Sequence, residues 1–208
     1  MKNILILGLL LVLAGATFGV ASPALADGIS SMDAALSASE VDGLVFMREE
    51  EKLAHDVYVT LYAQWGLPVF NNIANSEATH TAAIKVLLDR YGIADPAAGK
   101  GVGEFTNSDL QKLYEQLVAQ GSQSLTEALK VGISIEEIDI RDLQTRLTET
   151  SSPDIQLVYN NLLRASENHL RAFTTNLQRQ TGGSYSSQGL GTGAVSAPGQ
   201  RGGRRWGN

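Results

Sequence analysis

Apolar residues recur three and four positions apart through most of the chain, the period of a helix buried on one side. Along "EVDGLVFMREEEKLAHDVYVTLYAQW", Leu44, Met47, Ala54, Tyr58, Leu61 and Trp65 fall within one arc, which predicts a helix over roughly Glu40–Trp65. Ser39 precedes it as a candidate N-cap, and Gly66 with Pro68 closes it. A second helix is predicted over about Val69–Tyr91, with Ile73, Ile84, Leu87 and Tyr91 on its apolar side and Gly92 as its stop. The stretch "GIADPAAGKGVGEFTN" then reads as a long connection. A short helix follows over Ser108–Gln120, with Asn107 as N-cap and Gly121 as stop. A third long helix is predicted over about Leu125–Thr148 and a fourth from near Pro153, a good first-turn residue, to near Gln180. No stretch alternates as a half-buried strand does.

Tight links after the first and third long helices make antiparallel pairs, and the long middle connection can cross from one end of the molecule to the other. The expected fold is all-α: a four-helix bundle with an extra short helix in the long connection.

The two ends of the chain are different material. The 208 residues suit one domain with appendages. Lys2, the apolar run from Ile4 to about Leu13 and the "ALA" at Ala24–Ala26 read as a signal peptide over residues 1–26. An uncleaved anchor is the competing reading, but the run is short for a span and Pro23 follows it. The division expected is a leader over 27–38, the bundle over 39–181 and a tail over 182–208, in an exported protein that is periplasmic or extracellular. The tail is rich in Gly and Ser, lacks periodicity and is expected to be disordered. Arg201, Arg204 and Arg205 beside Trp206 suit a weak contact with an anionic surface, although a solvated tail is the plainer reading.

Charge and cysteine usage narrow the chemistry. A net charge of −6 argues against nucleic acid as a partner. There is no cysteine, which excludes disulfides, thiolate metal ligands, a cysteine nucleophile and a lipid-modified cysteine.

One feature does not fit an ordinary apolar core. In "NSEATHTAAIKVLLDRYG", Glu77 and His80 form an i, i+3 pair on the apolar side of the second helix. The first helix places Glu51 on its apolar side, with Glu49 and Asp56 opposite and Glu50 and His55 between. The third places Glu136 and Asp139 there, with Glu137 and Arg141 pointing away, and the fourth places Ser166 and His169. Burying carboxylates and imidazoles together is costly unless something pairs with them. A metal ion is one partner and a hydrogen-bonded network is the other. Carboxylate oxygen with imidazole nitrogen, without sulfur, suits iron or manganese, with zinc as a further candidate. The candidate metal ligands are Glu51, Glu77, His80, Glu136, Asp139 and His169. Tyr58, on the same side as Glu51, serves core packing or a hydrogen bond to a ligand, or carries a radical.

This pattern resembles the ferritin-like superfamily of di-iron carboxylate bundles, in which two helices each give a Glu and two give Glu-x-x-His. The segment "EKLAHDVY" looks like a rubrerythrin-type first helix. More specifically, "REEEKLAHDVY", "IEEIDIRDL" and "SENHLRAF" resemble a bacterial and archaeal family of unknown function, number 2202, classed as ferritin-like. The resemblance covers about Val41–Gly182. It implies that Glu51 is the first-helix glutamate, Glu77 and His80 the second-helix pair, and Glu136 or Glu137 the third-helix glutamate. The fourth helix departs from the pattern, with Ser166 where a Glu precedes the His by three, so that a symmetric site needs Asp139 to compensate. The implied activity is redox: handling iron, or activating oxygen or peroxide as an oxidase or peroxidase-like enzyme. The rival is a non-catalytic helical module that binds a partner or the cell envelope, with the polar cluster as a structural network.

Overall fold

The computed structural model describes residues 35–183; the expected signal peptide, most of the expected leader and the expected tail beyond Gly183 lie outside the described residues. The described chain is five α-helices, α1 (Ala38–Trp65), α2 (Pro68–Arg90), α3 (Ser108–Gly121), α4 (Leu125–Glu149) and α5 (Pro153–Thr181), and no strand occurs among these residues. None of the described helices is long and apolar enough to cross a membrane.

Local chemistry explains most of the boundaries. The N-cap of α1 is Ser37 and not Ser39, because only Ser37 stands three residues before a glutamate. Its hydroxyl accepts from Glu40 N at 3.3 Å, and Glu40 Oε2 accepts from Ser37 N at 2.9 Å. The helix ends where Gly66 takes a φ of 64°, a left-handed geometry that favours glycine. Pro68 and Pro153 open α2 and α5 in the first turn, where a missing N–H removes no bond. Asn107 caps α3, accepting from Asp109 N and Leu110 N. Gly121 is still helical rather than a left-handed stop; its need is space, since a Cβ there would lie 2.7 Å from Leu61 Cδ2.

The helix α1 packs along α2 and α4 along α5; α1 also meets α4, α2 meets α5, and α3 lies against α1 and α4. The tight links at Gly66–Leu67 and Thr150–Ser152 reverse the chain, so both pairs run antiparallel. Leu44, Met47, Tyr58, Phe70, Ile84, Leu129 and Phe173 are among the fully buried side chains between them. Phe173 lies against the α4 backbone at Gly132, with Tyr58 and Phe70 at ring-centroid distances of 5.0 and 5.4 Å. The carboxylate of Glu40 fastens the start of α1 to the α4–α5 link: Oε1 accepts from Thr150 Oγ1 at 2.7 Å and Ser152 Oγ at 2.8 Å. Burial would raise its pKa, but these bonds and those from Ser37 bring it down to about 2.

The side of α1 expected to face away from the core is covered. Glu49 and Asp56 are each only 2% exposed, because the connection between α2 and α3 packs over them. Glu49 accepts from the backbone N–H groups of Thr106 and Asn107, and Asp56 accepts from Gly103 N at 2.8 Å. Lys52 pairs with Asp56, donates to Gly101 O at 2.7 Å and lies over the Phe105 ring. Arg48 clamps Asp95 through two 3.0 Å bonds. A connection without helix or strand leaves backbone donors open, and the charged side of α1 satisfies them.

Candidate metal centre

The middle of α1 is enclosed on nearly every side, and Glu51 there is 1% exposed. Facing it across the core are Glu77 and His80 of α2, Glu136 of α4 and His169 of α5, all buried. They form two groups: in each, one potential ligand atom per residue lies within 4.8 Å of the others. Glu51, Glu77 and His80 make the first group, and Glu77, Glu136 and His169 the second. Glu77 belongs to both. Its Oε2 is 2.7 Å from His80 Nδ1, and its Oε1 is 2.8 Å from His169 Nδ1. The second contact lacks the direction of a hydrogen bond: Glu77 Oε1 and His169 Nδ1 are both buried without a hydrogen-bonding partner. Glu51 Oε2 lies 3.2 Å from His80 Nδ1, and Glu136 Oε2 lies 3.6 Å from His169 Nδ1. The two imidazoles stack with centroids 5.6 Å apart.

Five of the six candidate ligands are thus brought together. Asp139, one turn along α4 from Glu136, is in neither group. The Ser166 hydroxyl donates to its Oδ2, and its Oδ1 is buried without a partner. Glu136 rather than Glu137 reaches the cluster, since Glu137 is only half-buried on the other side of α4. On α5, His169 faces inward and Glu167 is exposed. His55 turns away to Asp56 at 2.8 Å. Tyr58 is fully buried and donates to Glu136 Oε1 at 2.6 Å, holding that carboxylate in place.

Two members of the surroundings were not anticipated. Glu50 is 5% exposed and its Oε2 has no partner. Its angular position between the two sides of α1 gave no signal, because burial there depends on α3 and α4. Ser76 lies next to both imidazoles, with its Oγ 3.1 Å from His169 Nε2 and 3.4 Å from His80 Nε2. Its spacing of four before His80 was the available signal.

The electrostatics follow from burial without enough counter-charge. Among the described residues, only His80 and His169 form ion pairs with Glu51, Glu77 and Glu136. Burial alone would raise the Glu77 pKa, but the two histidines bring it down to about 2. Burial alone would lower the histidines; instead Glu51 and Glu77 push His80 up to about 11, and Glu136 and Glu77 push His169 up to about 9. Burial raises Glu136 to about 7. It holds Glu51 well above the carboxylate range, with repulsion from Asp139 adding to the effect. Asp139 is raised the same way by burial and then Glu136, and Glu50 by burial and then Asp139 and Asp142. The hydroxyl of Tyr58 is pushed up by burial and by Glu136.

These features define an all-helical protein with a buried histidine–carboxylate cluster built around one shared glutamate. The chain belongs to the family described as uncharacterized protein domain (DUF2202), whose model matches residues 40–196. It is similar to the uncharacterized protein MJ0754 of Methanocaldococcus jannaschii, with 48% identity over 153 residues, covering 74% of this chain and 82% of the relative. Its fold is similar to the crystal structure of the hypothetical protein MJ0754 from Methanococcus jannaschii, with a TM-score of 0.72 and 47% identity, covering 74% of this chain and 88% of that one.

Proposed function

We propose that this is an exported ferritin-like protein, a four-helix bundle with α3 as the additional short helix, that holds one or two transition-metal ions between α1, α2, α4 and α5. The observation that carries the reading is Glu77, whose two carboxylate oxygens each face a different histidine and so join two three-residue ligand groups. The donor set fits iron or manganese, with zinc as a further candidate. An orphaned atom supports the fit: Glu51 Oε1 is a buried polar atom without a hydrogen-bonding partner, which is expensive in a core unless a cation takes it, and Glu77 Oε1 and His169 Nδ1 face each other at 2.8 Å without the direction of a hydrogen bond. When bound, iron or manganese supplies redox chemistry toward oxygen or peroxide, or the site handles iron itself. The chain's own contribution is to exclude water and to hold Glu136 by the Tyr58 hydroxyl. Export rests on the Lys2–Ala26 pattern. The intact mass of exported protein should show a chain beginning near Asp27, and full-length protein in the membrane fraction would refute cleavage.

The rival is an ion-pair network that only holds helices together, favoured by the 2.7 Å contact between His80 and Glu77. The pH dependence of stability separates the two. His80 and His169 bind protons more tightly in the folded state, so their contribution is complete below about pH 6.5 and is lost as pH rises toward their folded values of about 11 and 9. Glu77 works in the other direction: its contribution is complete above about pH 4.5 and is lost as pH falls toward about 2. The raised carboxylates Glu50, Glu51, Glu136 and Asp139 contribute fully only below about pH 4, and that contribution is lost as pH rises from there. Metal-free protein is therefore expected to melt highest at about pH 4.5 and to weaken steadily toward neutral pH. Metal binding needs deprotonated ligands and should strengthen with pH. At neutral pH, with manganese, iron(II) or zinc at about 100 times its dissociation constant, stability should rise by about 2.7 kcal/mol, roughly 5–10 °C in melting temperature. If no metal binds and none shifts melting at any pH, the network reading stands.

The ligand assignment on α5 has its own check. His169→Ala is expected to weaken metal binding about 10-fold or more, by comparison with the roughly 10–100-fold lost when an outer partner is removed. Glu167→Ala, on the exposed side of the same helix, should bind as the parent does. The opposite ranking in a calorimetric titration of folded variants would remove His169 from the site.

A further inference from the structure

The five residues Ser76-Glu77-Ala78-Thr79-His80 occupy little more than one turn of α2 and supply three of the polar groups at the centre. Two of them have been accounted for. The third, Ser76, is half-buried and stands where the two stacked imidazoles turn their outer edges. Both rings have the same orientation: Nδ1 faces Glu77, at 2.7 Å from His80 and 2.8 Å from His169, and Nε2 faces Ser76 Oγ, at 3.4 and 3.1 Å. One hydroxyl from α2 therefore serves histidines from two helices.

A serine oxygen has two acceptor lone pairs and one hydrogen. It can accept an N–H from each Nε2 at once and still direct its own hydrogen elsewhere. An imidazole that ligates through one nitrogen carries its proton on the other, and the acceptor met by that proton fixes the ring's tautomer and tilt.

We propose that Ser76 is a shared positioning residue, the common acceptor that keeps the protons of both His80 and His169 on Nε2 and so presents both Nδ1 lone pairs to the two ligand groups joined by Glu77. The inference rests on the metal-binding reading above. It gives a reason for a polar residue at the α2–α5 seam: the imidazoles come from different helices, and a single hydroxyl sets both in register. The shorter distance to His169 makes the group of Glu77, Glu136 and His169 the more dependent of the two.

The test is a zinc titration of the full chain by calorimetry at one pH, with Ser76→Ala, Ser76→Thr and the parent, alongside nitrogen-15 histidine spectra of the zinc-loaded proteins. Alanine is a strong helix former, and metal-free Ser76→Ala should melt close to the parent. Its zinc affinity should nevertheless fall about 10-fold. Ser76→Thr, which restores a hydroxyl, should recover most of the affinity. In the parent the two Nε2–H protons should be protected from exchange with water, and in Ser76→Ala they should exchange faster, that of His169 most of all. Parent-like affinity and protection in Ser76→Ala, with zinc bound normally by the parent, would overturn the inference and leave the metal site intact. Equal loss in the alanine and threonine variants would also overturn it, because the hydroxyl would not be the agent. A parent chain that binds neither zinc, manganese nor iron(II) would remove the metal reading and this inference together.

Discussion

Glu77→Gln is expected to remove metal binding from both ligand groups at once. Glu77 is the residue common to the two, whereas Glu51→Gln and Glu136→Gln should each weaken one group and spare the other. The amide matches the carboxylate in size, so the change isolates charge. Loss of a ligand at the junction should exceed the roughly 10–100-fold typical of an outer-shell partner. The same change bears on the metal-free protein. His80 and His169 are both buried against Glu77, and removing one partner of a buried ion pair costs about 3–5 kcal/mol. Both histidines should then titrate at lower pH, because Glu51 alone is left to raise His80 and Glu136 alone to raise His169. Metal titration, with histidine proton shifts followed by NMR, checks both parts. If Glu77→Gln binds metal like the parent while folded by circular dichroism, the shared carboxylate is not the junction of the site.

Gly132→Val should be among the most destabilising single changes in the protein. A Cβ at Gly132 would lie 2.6 Å from Phe173 Cδ1 and Cε1. That ring cannot easily retreat: it is fully buried, with Tyr58 and Phe70 against it. Alanine would gain about 1 kcal/mol of helix propensity over glycine, which offsets part of the clash. Valine adds two further carbons and loses most of that gain, so a net loss of about 3 kcal/mol or more is expected. Denaturant melts of Gly132→Ala, Gly132→Val and the pair Gly132→Ala with Phe173→Leu check the cause. The double variant should recover stability relative to Gly132→Ala if the ring is the obstacle, and should not if the helix backbone is at fault. The effect should extend to the proposed metal centre, since Tyr58 lies against Phe173 and also donates to Glu136. Gly132→Val is therefore expected to lower metal affinity even in conditions where it remains folded.

Much of this was legible from spacing alone. Glu77 and His80 share an apolar side with Ile73, Ile84 and Leu87, and a polar pair in that register is buried wherever the helix packs. The same angular reasoning separates His169 from Glu167, which lie roughly 160° apart around α5. It separates Glu136 from Glu137 less decisively, because adjacent residues differ by only about 100° and both can approach a wide interface. The start of α1 was misplaced by two residues because Ser37 and Ser39 are both competent caps; what decides between them is the reciprocal bond with Glu40. Glu49 and Asp56 were read as pointing away from the core, and angularly they do. They are buried because a connection returns over them, and helical periodicity carries no information about a neighbour without a period of its own.

What the sequence by itself determined is therefore the set of helices and the apolar side that α2 and α5 bury, because both follow from bonds and contacts a few residues apart. It also determined which residue types must lie in the core, and hence that carboxylates and imidazoles would have to be accommodated there. What only the tertiary structure decided is which of them meet. The distances from Glu77 to two histidines on different helices, the sharing of Ser76, the exclusion of Asp139 from both ligand groups and the burial of Glu50 depend on how α2, α4 and α5 are rotated and staggered against α1. Those rotations are set by contacts such as Phe173 on Gly132 and Leu61 on Gly121, between residues far apart in the chain, where no local periodicity reaches.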